Sequence, residues 1–226
     1  MNCTVQYLPC PERGKVAVMK PKDDAATDRK SRYLDAAMRL FAEHGYVGTT
    51  MDMVIAETGG SKATLYKHFP TKEDLVTGLM ERVADTVSHD MDDPAGSVRP
   101  LADELTAIAR STCQGVWSPG AAAVLRLCLG EHGRFPELAH TVWNVGPTRT
   151  YANFRAFLAE RQRRGEIAID DPQIAAEQFL GGLVGHLQLK IAFGMTDPPT
   201  QAEIDARISS AIATFLARYA TPGGGP

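Results

Sequence analysis

Long apolar runs are missing from this sequence. Charges, glycines or prolines interrupt every candidate before it reaches the roughly 20 residues that span a bilayer, so no membrane partner is expected. The first residues lack the basic start and continuous apolar core of a secretory signal, and the expected location is cytoplasmic. Cysteine is scarce. Cys3, Cys10, Cys113 and Cys128 form no CxxC pair and join no histidine at metal-ligand spacing, so neither a metal nor a cofactor is expected. Cys113 and Cys128 lie in apolar helical context and read as buried free thiols. Catalytic signatures are absent too: there is no GxSxG elbow and no HExxH, and Gly59-Gly60-Ser61-Lys62 lacks the leading glycine and spacing of a phosphate-binding loop. Glu131-His132 and Glu137 with His140 are helical neighbours without a third partner, so an enzyme is disfavoured. Neither sign of charge dominates. A net charge of −3 over 226 residues, with 44% hydrophobic and 23% charged residues, is ordinary for a globular chain able to bury a substantial core.

What the chain does carry is a dense set of helix starts and stops between Thr49 and Leu75. Thr50 is placed to cap a short helix with Met51, Val54 and Ile55 on one face. Gly59-Gly60 ends it, and Ser61 caps a second helix in which Leu65 and Phe69 point inward. Pro70 stops that helix, and Thr71 with Asp74 approximates a capping box for the next. Two short helices about a glycine turn form a helix-turn-helix. From Ser61 to Lys72 the second helix and its exit hold three lysines and no carboxylate, a local +3 in an acidic chain. That contrast suits a small face laid against phosphates.

Arg32-Tyr33-Leu34-Asp35-Ala36-Ala37, Phe41 to Tyr46, Thr49-Thr50, Gly59, Ser61 to Tyr66, His68-Phe69 and Lys72-Glu73 resemble, in register, the TetR family of bacterial repressors. The match runs from about Arg29 to Leu79, and its TLYxHF segment is the most specific part. Gly60 departs from the pattern, which usually has a small apolar residue there. The resemblance implies an all-α fold: an N-terminal three-helix helix-turn-helix head and a C-terminal helical domain for effector binding and dimerisation. It implies a double-stranded DNA operator as partner, with Thr50, Ser61, Lys62, Thr64, Tyr66, Lys67, His68 and Lys72 as contact residues. Tyr66, His68 and Lys72 are expected on phosphates, and Lys62, Thr64 and Lys67 on base edges. A solvated polar helix face is the plainer alternative for this set.

The remainder reads as helix throughout. Residues 1–27 and 221–226 are expected as disordered tails, with 28–72 as the head and 73–220 as the second domain. Lys20, Lys22, Arg29 and Lys30 read either as a basic arm for DNA or as part of a solvated tail. Gly146-Pro147 is expected to open a helix that ends in the Arg161 to Arg164 run, whose basic residues complement its end. In the second domain Trp117, Cys128, His132, Trp143, Phe154, Phe157, His186 and Phe193 are candidates for a small-molecule effector pocket, apolar with a few polar groups. Core packing is the simpler reading of each one alone. Asp171-Pro172 and the Thr200–Glu203 capping box open two long final helices. By resemblance these form a four-helix bundle with a second copy, through Phe179, Leu183, Leu187, Ile208, Ile212 and Phe215. Gly181, Gly182 and Gly185 inside the first of them invite close packing against something. The expected protein is a homodimeric transcriptional repressor released by an apolar small molecule. A ligand-sequestering bundle and a helical enzyme stand as alternatives.

Overall fold

Residues 22–88, 91 and 99–221 are described by the structure, a computed structural model. Residues 1–21 and 222–226 of the expected tails, with Lys20 of the basic arm, lie outside them. Local capping chemistry sets the head. Helix α1 (Lys22–Gly48) begins inside the expected tail and bends at Gly45, whose φ of 70° turns Tyr46 back into the core. Thr50 caps α2 (Met51–Thr58) by accepting from the Met53 amide, and Gly59 ends it at φ 66° with its N–H on the Ile55 carbonyl. Ser61 caps α3 (Lys62–His68) through the Thr64 amide. Thr71 and Asp74 then exchange hydrogen bonds, 2.8 and 3.2 Å, to open α4 (Lys72–Ser88).

Of the 17 residues of α4 only Glu73, Asp85 and Thr86 are exposed, because the helix serves two cores. Leu75, Val76 and Leu79 pack with Leu34, Phe41, Val54, Leu65 and Phe69 of the head. Val124, Leu127 and Leu138 join the same cluster from α6 (Pro119–Glu131) and α7 (Pro136–Trp143). Val83 and Val87 belong to a second cluster built from α5 (Leu101–Val116), α8 (Arg149–Arg163), α9 (Pro172–Ala192) and α10 (Gln201–Tyr219). Met80 touches both clusters. Packing therefore runs unbroken across residues 72 and 73, and α4 is the shared spine.

Two expectations are corrected here. Gly146-Pro147 does not open a separate helix: Asn144–Thr148 forms one π-helical turn that joins α7 to α8. A π turn widens the helix and tolerates a proline that offers no N–H. It is held against α4 at Gly146, where a Cβ would stand 2.6 Å from Met80 Cε. The Arg161 to Arg164 run is not a uniform solvated cap either. Arg163 and Arg164 pair with Glu160, but Arg161 is 1% exposed and binds Glu104 and Glu166. No helix among the described residues is long and apolar enough to cross a membrane.

Candidate DNA-reading face and effector cavity

The helix-turn-helix presents α3 on its outer side because Leu65 and Phe69, at 0% and 2% exposure, anchor the opposite side in the head core. Tyr66 and Lys67 project outward. Lys62 is also exposed, but its ammonium pairs with Asp52 of α2 at 3.1 Å and lies 5.8 Å from the Tyr66 ring. An exposed pair of this kind is worth little and yields readily to a phosphate or base. Thr64 shares a 2.8 Å hydroxyl contact with Ser61, and His68 is half-buried beside the Tyr33 ring. Thr50 stays exposed at the α2 cap.

Lys72 is placed differently. Its ammonium donates to the carbonyls of Tyr46 and Thr49, at 2.6 and 2.9 Å, and sits 4.2 Å above the Tyr46 ring. Burial lowers its pKa. The side chain thus ties the α1–α2 connection to the start of α4 rather than standing free for phosphate. Beside it the Tyr46 hydroxyl donates to Glu73, which holds that carboxylate below its ordinary pKa.

Arg29 and Arg32 of α1 share a cleft of about 370 Å³ with Ser61 and Thr64, placing two cations beside the start of α3. Their spacing of three along a helix was the available signal for Arg32. The same cleft explains Gly60. A Cβ there would stand on the Tyr33 hydroxyl, with ring carbons 3.1 Å away, and Tyr33 is 1% exposed and cannot retreat. Gly60→Ala is expected to lower head stability by about 1–3 kcal/mol through overpacking. Thermal melts should show partial recovery in Gly60→Ala combined with Tyr33→Phe. Equal melting of Gly60→Ala and the parent would show that the ring has room.

The second feature is a cavity of about 570 Å³ between α4, α5, α6, α7, the π turn, α8 and α9. Of the expected pocket residues, Cys128, His132 and Trp143 line it. Trp117, Phe154 and Phe157 do not: each is at most 5% exposed and packed in the second core, where Phe154 stacks on Phe157 and Phe179. His186 and Phe193 lie exposed outside the cavity. Sequence reasoning missed Met80, Thr112 and Tyr151, which line it without any distinguishing local pattern. Burial pushes the thiols of Cys113 and Cys128 up to about 11, so both stay protonated and unreactive near neutrality.

The expected dimer residues are largely internal. Phe179, Leu183, Ile208, Ile212 and Phe215 are 0–9% exposed within one protomer, and Leu187 is half-buried. They form the apolar stripe that binds α9 and α10 to their own subunit, so a second copy cannot reach the five buried ones. Among the exposed residues of α9 and α10 are several small ones, Gly182 on one helix and Ala206, Ser210, Ala213 and Ala217 on the other, with His186 near Gly182 in sequence. At Gly181, Gly182 and Gly185 an added Cβ would meet nothing within 4 Å.

Comparisons with known proteins agree with this architecture. Residues 34–79 match the description "Bacterial regulatory proteins, tetR family", and residues 103–221 match "AefR-like transcriptional repressor, C-terminal domain". The structure of the flavonoid-responsive regulator FrrA is 32% identical in sequence, covers 87% of this chain and 100% of its own, and superimposes with a TM-score of 0.63. A TetR-family regulator from Mesorhizobium loti, 24% identical over 87% of this chain and 98% of that one, reaches a TM-score of 0.74 and shares the fold. An HTH-type transcriptional regulator of Mycobacterium tuberculosis is 27% identical over 200 residues, 88% of this chain and 94% of that protein. With both its head and its C-terminal domain matched, the chain belongs to the TetR family of bacterial transcriptional regulators.

Proposed function

We propose that the protein is a homodimeric repressor that binds a pseudo-palindromic operator through two α3 helices and is released by a small molecule in the cavity. The observation that carries this reading is the double role of α4. One end supplies Leu75, Val76 and Leu79 to the head core, and the other supplies Met80, Val83, Ala84 and Val87 to the cavity wall. A ligand that prefers one position of α4 therefore biases the spacing of the two heads, by no more than its differential affinity for the two states. The similar FrrA is named for its response to flavonoids, which supports a small organic effector here.

Dimerisation uses the open small-residue face of α9 and α10, where two subunits pack as four helices. Backbone approach at Gly182 and Ala213 gives the close contact that open glycines allow. Two heads then enter major grooves separated by roughly one helical turn. Ala213→Arg, an exposed position, should fold normally but sediment as a monomer and lose operator binding. A variant that stays dimeric and keeps operator affinity would refute this interface.

A further inference from the structure

We propose that the cavity admits a wholly uncharged, largely apolar molecule with one hydrogen-bonding group, a hydroxyl, phenol or carbonyl, received by Thr112 and Tyr151. This rests on the effector reading above and specifies its ligand chemistry. No aspartate, glutamate, lysine or arginine lines the cavity. An ionised group drawn inside would lose its water and meet no carboxylate, ammonium or guanidinium, a cost that disfavours it unless it titrates to neutrality. Much of the wall is aliphatic, with contributions such as Val87, Val116, Val124 and Leu180, while Thr150, Gln188 and His132 add further polar groups to it.

Thr112 differs from six other helical threonines. Thr58, Thr77, Thr86, Thr106, Thr150 and Thr214 each donate to the carbonyl four residues back. The corresponding carbonyl for Thr112 is that of Ile108, and Ser111 already donates to it at 3.1 Å. The Thr112 hydroxyl is left buried without a partner among the described residues, on a side chain 2% exposed that lines the cavity. A buried polar group in that state costs free energy that a ligand group can recover. Tyr151, half-buried on the same wall, makes no hydrogen bond among the described residues, and burial raises its pKa so that it remains a neutral phenol. At the rim Leu129, Trp143 and Leu189 are 47–61% exposed, an apolar entrance for such a molecule.

Biphenyl, 4-phenylphenol and 4-biphenylcarboxylate share one apolar frame and differ only in the polar group, so they separate these contributions. Trp143 reports binding by fluorescence quenching, since Trp117, the other tryptophan, lies outside the cavity. The expected order is 4-phenylphenol tightest, biphenyl about fivefold weaker, as one recovered hydrogen bond implies, and the carboxylate weaker still. In Thr112→Val the phenol should fall to the affinity of biphenyl, with biphenyl unchanged and the melting temperature equal or higher. The proposal is overturned if the carboxylate binds as tightly as the phenol, if the phenol's advantage survives in both Thr112→Val and Tyr151→Phe, or if no probe quenches. Parallel DNA titrations keep it apart from the effector reading. Binding in the predicted order with no effect on DNA would refute the effector role and leave the pocket chemistry standing. Release by a charged molecule at this site, with the neutral probes inert, would do the reverse.

Discussion

Replacing Tyr66 and Lys67 together by alanine is expected to lower operator affinity by about two orders of magnitude, since each good base or phosphate contact is worth roughly 1–3 kcal/mol. The two side chains are the outward part of α3, and neither contributes to the head core. Leu65 and Phe69 anchor the helix from the other side, so circular dichroism and thermal melting should match the parent. Competition titrations would divide the loss. If Lys67 meets a phosphate, the salt slope falls by about one unit and all sequences weaken alike; if it reads a base edge, the specific site weakens more than scrambled DNA. Unchanged operator affinity in the double variant would remove α3 from the interface.

The second large effect is structural. Arg161→Leu is expected to cost about 3–5 kcal/mol, because removing one partner strands a charge inside the protein. Arg161 donates to Glu104, to Glu166 at 3.0 and 3.1 Å, and sits 5.3 Å from the Phe157 ring. Glu104 is only 3% exposed and would keep just the 3.9 Å approach of Arg99. The cluster clasps the first turn of α5 to the last turn of α8 and to the Gly165 turn. Glu166 in turn accepts from the Thr221 amide, and Ala168 donates to Tyr219 at the end of α10. Arg161→Leu combined with Glu104→Leu should be far milder than the single change, since it buries no lone charge. Urea denaturation at fixed protein concentration measures both. A single-variant cost near that of a surface pair, about 1 kcal/mol or less, would contradict the burial.

Legibility in the sequence followed the range of the interaction. Thr50, Ser61, Asp171 and Thr200 were readable as caps because a cap is satisfied two or three residues away. Arg161 was not, since its principal partner lies 57 residues distant and nothing in Arg161-Gln162-Arg163-Arg164 marks one arginine as internal. Pro147 signals a break locally, yet packing of Gly146 on Met80 continues the helix through it. The apolar stripe of α9 and α10 was correctly seen as buried, but period alone does not say against which subunit. What remains open on these helices in the single chain is a set of small residues and glycines. Lys72 shows the same limit in the head: composition counts a cation but not the two carbonyls that hold it.

The most direct test is a titration of the purified protein against DNA from its own upstream region and against scrambled DNA of equal length, over a salt series. The account predicts a strong preference for the upstream DNA, with two protected half-sites about one helical turn apart and affinity falling steeply as salt rises. Equal, weak binding to both DNAs throughout the series, with no protected half-sites, would contradict it.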